Sequence, residues 1–134
     1  MSKLFYPAVF HPEADGGYSV DFPDLLGCVT EGDTLSEAIK MAEDALGIYL
    51  YSLKEDKETA PTPSDPADVT TEGRDFISLV EYDEVEYLKR TDNHAVKKTV
   101  TIPSWLDTIA REHNVNFSNV LQNALRRELN VGMA

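Results

Sequence analysis

The chain has 134 residues, which is enough for one ordinary domain or two small ones. Its 42% hydrophobic and 27% charged residues exclude a disordered chain, and its net charge of −12 excludes nucleic-acid binding by an evenly charged surface. A single cysteine, Cys28, cannot form an internal disulfide, and we interpret it as a core residue in a reducing cytoplasm. No run approaches the ~18 apolar residues of a membrane span, which also favours a cytoplasmic protein.

The N-terminal segment predicts an antiparallel meander of three strands. Residues 4–10 are apolar and aromatic, and the proline among them indicates an edge or bulged strand. The Asp-Gly-Gly of residues 15–17 is a strong hairpin signal. "YSVDF" at 18–22 alternates strictly between apolar and polar residues, and "CVTEG" at 28–32 supplies the third strand.

A helical period begins after the third strand. Thr34 and Glu37 have the spacing of a capping box. Gly47 weakens the middle of this helix by about 1 kcal/mol relative to alanine, so we expect close packing there. The expected apolar face of the helix comprises Leu35, Ala38, Ile39, Ala42, Leu46, Tyr49 and Leu53.

A long loop and a further strand follow the helix. Residues 55–75 contain three prolines and predict a loop, whereas "FISLVEYD" at 76–83 predicts a strand that pairs back into the first sheet. "EVEYLKR" at 84–90 favours a short helix. Residues 1–89 are therefore predicted to form an α+β domain with three to four antiparallel strands and one long helix, followed by a linker at 90–95.

Residues 96–134 predict a second domain in the order strand, helix, turn, helix. The strand at 96–102 is stopped by Pro103, which removes a backbone donor. Ser104 has the position of a helix N-cap. A turn at 114–116 separates the two helices.

This second domain is expected to need a second copy of itself. About 35 residues cannot form an adequate core alone, and neither a disulfide nor a zinc-binding pattern is present to help. We therefore expect a homodimer in which two strands pair antiparallel. Lys97, Thr99 and Thr101 then share the outer face of a two-stranded ribbon, which fits the DNA major groove.

The segment "VKKTVTIPSWLDTIAREHNVNFSNVLQNALRREL", residues 96–129, resembles a ribbon-helix-helix DNA-binding domain. The resemblance implies base contacts by three outward side chains of the strand, Lys97, Thr99 and Thr101. It implies phosphate contacts by the first residues of the second helix, Phe117, Ser118 and Asn119. The alternative is an ordinary solvent-facing edge strand with protective lysines.

The segment "YPAVFHPEADGGYSVDFPDLLGCVTEGDTLSEAIKMAEDAL" resembles the HicB antitoxin family. The resemblance covers about residues 6–50, with the hairpin glycines, strand alternation and helix cap in register. It implies a degenerate ribonuclease-H-like domain that binds and silences a HicA toxin, which is a small RNA-cleaving enzyme. It also implies a repressor that binds the operator of its own operon.

The charge of the chain is divided unevenly. Residues 1–95 hold 21 Asp/Glu and 7 Lys/Arg, whereas residues 96–134 hold 3 and 5. An acidic domain can occupy the basic surface that an RNA-cleaving protein presents to phosphates. The carboxylates expected to contact the toxin are Asp21, Asp24, Glu31, Glu81, Asp83 and Glu84.

Two other functions remain open. The chain could be a stand-alone transcription regulator whose acidic domain senses a ligand or oligomerises. It could also be a nuclease, which would need carboxylates converging on two metal ions. Asp21, Asp24 and Asp33 form only a weak cluster, and His11 is expected in a turn. We therefore expect neither catalysis nor a bound metal or cofactor.

Overall fold

The computed structural model describes residues 3–92 and 94–132. Residues 1–2 of the expected first domain, residue 93 of the expected linker and residues 133–134 of the expected second domain lie outside this description. Among the residues described, no helix combines the length and the apolar character that crossing a membrane requires.

The first of two compact units, residues 1–91, contains a four-stranded antiparallel sheet. Its strands are β1 (Lys3–Pro12), β2 (Tyr18–Asp21), β3 (Val29–Gly32) and β4 (Phe76–Asp83). Their order across the sheet is β3-β2-β1-β4, and every neighbouring pair is antiparallel. The predicted meander and its closing fourth strand are confirmed.

The proline in β1 predicts an edge or bulged strand, and the edge position is wrong for the strand as a whole, because β1 lies between β2 and β4 in the sheet order. A proline fits there because the pairing of β1 with β2 begins only at Val9. At Pro7 the strand pairs with β4 alone, opposite Leu79. The strand therefore has neighbours on both sides only at Val9 and Phe10, and the part that contains Pro7 is edge-like, which accommodates a residue without an N–H.

The helix α1 (Leu35–Glu55) covers one face of the sheet. Thr34 caps it, since the Thr34 hydroxyl accepts a hydrogen bond from the N–H of Glu37 at 3.1 Å. Leu35 and Ile39 are exposed, contrary to expectation, because the first turns of α1 face the sheet through the smaller Ala38 and Ala42. The buried residues of α1 are Ala38, Ala42, Leu46, Gly47 and Leu50.

The core of this unit lies between α1 and the sheet, with the large side chains of Tyr6, Phe10 and Leu46 at its centre. Cys28 is 4% exposed within the same cluster. Burial raises the pKa of the Cys28 thiol to about 11. The expectation of a core cysteine is confirmed.

Two glycines allow close approach between elements. A Cβ atom on Gly32, where β3 ends, would lie only 2.7 Å from the Cα of Ala38 in α1. A Cβ atom on Gly47 would overlap the ring of Tyr87. The close packing predicted at Gly47 is therefore confirmed.

Residues 56–75 connect α1 with β4 and contain one turn of 3₁₀ helix, Pro66–Asp68. The Tyr6 hydroxyl donates a hydrogen bond to the Pro61 carbonyl, which holds this connection to the sheet. A short helix, α2 (Glu84–Thr91), follows β4 directly, as the sequence predicts.

The second compact unit, residues 92–134, contains the helices α3 (Ser104–Glu112) and α4 (Phe117–Leu129). No residue of either helix is buried. The large apolar side chains that this unit exposes are Val96, Val100, Ile102, Trp105, Leu106, Ile109, Phe117, Val120, Leu125 and Leu129. The amphipathic helices therefore lack a complete core within one chain.

The single chain departs from two expectations for this unit, the helix cap and the strand. Ser104 does not cap α3, because the helix begins one residue earlier, with Pro103 at the N-cap and no side-chain cap bond. Residues 94–103 have no regular secondary structure in the single chain. A strand that pairs only with a second chain has no partner here, so the ribbon stays a prediction.

Candidate functional site

His11 joins two carboxylates on the face of the sheet that α1 does not cover. Its Nδ1 lies 2.7 Å from Oδ2 of Asp75, and its Nε2 contacts Oδ1 of Asp21. Asp21 ends β2 and Asp75 immediately precedes β4, so His11 ties the first hairpin to the end of the long connection. A neutral imidazole has only one N–H, so the ring donates to both carboxylates only when it is protonated.

The two carboxylates favour the protonated ring. The hydrogen bond to Asp21 raises the pKa of His11 above its ordinary value, and the bond to Asp75 and both negative charges act in the same direction. Partial burial of the ring opposes this rise without cancelling it. The two carboxylates therefore favour the cationic form of His11, in which the ring bridges both acidic side chains.

An open groove of about 550 Å³ lies beside His11, between the sheet and residues 64–75. The carboxylates that line it are Asp21, Asp24, Asp68, Glu72 and Asp75. In the part of the chain that the structure describes, no group of three or more His, Cys, Asp or Glu side chains could hold a metal ion. The five carboxylates give the groove a negative potential, which attracts cationic groups.

The six carboxylates expected to contact a toxin fall into two groups. Asp21 and Asp24 line the groove beside His11, and Glu31 lies near them on the edge strand β3. The other group, at the opposite end of the sheet where β4 meets α2, comprises Glu81, Asp83 and Glu84.

Most of these carboxylates also have partners within their own unit. Asp24 accepts a hydrogen bond from the backbone N–H of Ser64 at 2.9 Å. Asp83 accepts from the N–H of Glu86 at 3.3 Å and so caps α2. The remaining pairs are Glu81 with Lys3 at 3.3 Å and Glu84 with Lys54. These carboxylates therefore also form hydrogen bonds and ion pairs within the first unit.

The sequence pattern missed the residues that complete the groove, and it placed His11 in a turn. His11 in fact pairs with Ser19 inside the sheet. The alternation of β2 puts Asp21 on the same face as Ser19, so the contact between His11 and Asp21 could have been found from the hairpin register. Asp75 could not, because the path of a loop without periodicity is not encoded in local spacing.

In the second unit, Lys97, Thr99 and Thr101 are all exposed. They occupy alternate positions of the irregular segment before α3. Only an extended strand would bring the three side chains onto one face.

A side chain of the chain itself caps the start of α4. Asn116 is the N-cap, and its Oδ1 accepts a hydrogen bond from the N–H of Asn119 at 3.0 Å. The backbone N–H of Asn119 is therefore engaged within the helix cap. Phe117 and Ser118 are the first residues of α4, where backbone N–H groups have no partner within the helix.

Comparison with known proteins decides the family. Residues 6–125 match the family model described as "HicB_like antitoxin of bacterial toxin-antitoxin system". The chain belongs to this family. The match extends from the sheet of the first unit into α4 of the second in this HicB-like chain.

Two relatives named as antitoxins are similar to part of the HicB-like chain. Antitoxin HicB 1 of Photorhabdus laumondii is 45% identical over 79 residues, which are 59% of this chain and 47% of that protein. Antitoxin HicB of Escherichia coli K12 is 41% identical over 59 residues, which are 44% of this chain and 43% of that protein. The chain therefore spans about half the length of these relatives.

A solved structure matches the HicB-like chain over nearly its whole length. It is a chain of a toxin–antitoxin complex from Streptococcus pneumoniae, with 32% sequence identity and a TM-score of 0.59. The likeness covers 95% of this chain and 99% of that chain. The resemblance to HicB antitoxins seen in the sequence is confirmed.

Proposed function

We propose that this chain is the antitoxin of a type II toxin–antitoxin system. Residues 1–91 bind and silence a HicA-like, RNA-cleaving toxin, and a dimer of the second unit binds operator DNA in the cytoplasm and represses the chain's own operon. The likeness to a chain of the toxin–antitoxin complex, over 95% of this chain and 99% of that one, carries the proposal. No catalytic step and no cofactor is part of it.

Charge supports the toxin-binding half of the proposal. Residues 1–91 hold 20 Asp/Glu and 7 Lys/Arg, and carboxylates line the groove beside His11. A protein that binds RNA presents a basic surface, which an acidic domain attracts and can cover.

The exposed apolar side chains support the DNA-binding half. Neither of these two amphipathic helices has a buried residue, so their apolar faces stay exposed to water unless a second copy packs against them. Pairing of two segments at residues 96–102 would form the ribbon and present Lys97, Thr99 and Thr101 from both chains. Residues 92–134 hold 4 Asp/Glu and 5 Lys/Arg, so this unit lacks the acidity that would repel phosphate.

The test of the toxin-binding half mixes the full chain with its cognate HicA-like toxin and a defined RNA. We expect RNA cleavage to fall to background once the chain equals the toxin in amount, while an unrelated protein of similar negative charge leaves cleavage unchanged. Undiminished cleavage at excess chain would contradict the proposal. Operator binding with undiminished cleavage would favour the stand-alone regulator, and magnesium-dependent cleavage by the chain alone would favour the nuclease.

A further inference from the structure

The face of the sheet that α1 leaves uncovered carries an apolar strip, formed by Phe5, Pro7, Val9, Ile77 and Leu79. These residues alternate along β1 and β4 with the residues that form the core. The antiparallel register places Pro7 opposite Leu79 and Val9 opposite Ile77. A sheet face that stays in water normally carries polar side chains, so the apolar strip points to a covering partner.

One end of the apolar strip is covered and the other is open. Pro7, in the middle of the strip, is less than 2% exposed. Val9 is 6% exposed and lies at the groove formed with residues 64–75. Phe5 and Leu79 are 48% and 51% exposed, and the register makes them diagonal neighbours on adjacent strands. The open end therefore presents two large apolar side chains side by side.

Carboxylates border the apolar strip at both ends. Glu81 lies opposite Phe5 at the open end, and Asp83 follows two residues later on the same face. Lys3, which lies opposite Asp83, forms an ion pair with Glu81 at 3.3 Å, so one cation stands beside these two carboxylates. Asp21 lies opposite Val9 at the covered end and continues into the acidic groove. An apolar centre with a charged rim is the usual anatomy of a protein–protein interface.

The charges select the kind of partner. A second copy of residues 1–91 would bring 20 Asp/Glu against 7 Lys/Arg to an already acidic face and would be repelled. The chain's own residues 92–134, with 4 Asp/Glu and 5 Lys/Arg, would bring almost no net charge. A basic protein surface with an apolar side chain at its centre satisfies both features of the face.

We propose that the open end of the apolar strip, at Phe5 and Leu79, is the surface on which the basic toxin docks. An apolar side chain of the toxin packs on Phe5 and Leu79, and its cationic side chains lie against Glu81 and Asp83 at one end and the acidic groove at the other. The inference rests on the proposed function and names the surface that performs it. The helical side of the unit takes no part in this contact.

The test measures the affinity of the full chain for its cognate toxin by calorimetry. Phe5→Ser and Leu79→Ser each remove an apolar side chain from the centre of the interface, and we expect each to weaken binding about tenfold or more. The matched controls are Leu26→Ser and Ile48→Ser, since these apolar side chains are 93% and 62% exposed but lie outside the apolar strip. We expect the controls to stay within about twofold of the parent affinity.

Folding and charge are checked separately. Phe5 and Leu79 are half exposed, so the melting temperature of the first unit in each variant should stay near its value in the parent chain. If Phe5→Ser alone unfolds, Glu81→Lys tests the rim: it should slow toxin association and reduce the salt dependence of the rate.

Each outcome separates the inference from the proposed function. If the parent chain binds the toxin and both apolar variants bind equally well, the docking surface is wrong while the antitoxin function stands. If the parent chain does not bind the toxin at all, the proposed function fails first. If the variants change only the oligomeric state of the free chain, the face joins two copies and the inference is overturned.

Discussion

Gly47 of α1 lies directly against the ring of Tyr87 of α2, with no space for a methyl group between them. The Tyr87 ring cannot easily move away, because the ring centroids of Tyr51 and Tyr82 lie 5.6 Å and 6.0 Å from its own. The absence of a side chain at Gly47 thus allows α2 to pack closely against α1.

Gly47→Ala should destabilise the first unit by about 1–2 kcal/mol, because overpacking outweighs the gain of about 1 kcal/mol in helix propensity. The measurement is urea unfolding of the full chain followed by tyrosine fluorescence, since all six tyrosines lie in the first unit. Lys40→Ala, at an exposed position of the same helix, is the control. In the double variant with Tyr87→Ala, the loss of unfolding free energy should be smaller than the sum of the two single losses. If Gly47→Ala stabilised the chain, the close contact with Tyr87 would be contradicted.

The contact of His11 with two carboxylates predicts a stability that falls as pH rises. The folded pKa of His11 is raised, first by the hydrogen bond to Asp21, so its contribution is complete below the ordinary pKa of about 6.5. The contribution is then lost as pH rises through the folded pKa. The advantage of the parent chain over His11→Asn in melting temperature should therefore be larger at pH 6 than at pH 9.

A proton NMR titration of the His11 ring provides the direct measurement. We expect an apparent pKa above the ordinary value in the parent chain and a lower one in Asp21→Asn. A ring that titrates at or below about 6.5 in the parent would show that the carboxylates do not hold the proton.

Ile109→Glu should weaken dimerisation on the order of a hundredfold, because a carboxylate at the apolar face of α3 would be buried between two chains. Trp105, the single tryptophan, lies in the second unit and reports on this unit alone. When the protein is diluted, the wavelength of Trp105 emission should shift as the dimer dissociates. This shift should occur at a higher protein concentration in Ile109→Glu than in the parent chain. Gln122→Glu on α4 adds the same charge at an exposed polar position and should leave the dissociation constant unchanged.

Substitution of Lys97, Thr99 and Thr101 together by alanine should abolish retention of a DNA fragment carrying the chain's own promoter, since base contacts are worth about 1–3 kcal/mol each. Lys98→Ala is the matched control, because it removes one positive charge at the opposite parity of the strand. Lys97→Ala should weaken binding more than Lys98→Ala at the same salt concentration. Equal losses would indicate that charge alone, and not the face of the ribbon, determines binding.

Local periodicity explains why much of the first unit could be predicted. The alternation at 18–22 and the cap at Thr34 are short-range patterns, and both appear in the structure. The interior position of β1 was missed because it depends on which strand β4 pairs with, and β4 is separated from β1 in sequence by α1 and the long loop. The carboxylates at 68–75 were missed because the loop that carries them follows the sheet surface and has no period.

The two tight glycines differ in what could relieve them. The obstacle at Gly47 is the side chain of Tyr87, so a second substitution can make room for a larger residue. The obstacles at Gly32 are backbone atoms of Glu37 and Ala38, which every amino acid possesses. No compensating mutation can remove them. Position 47 can therefore drift together with its neighbour, whereas position 32 can change only if the path from β3 into α1 changes with it.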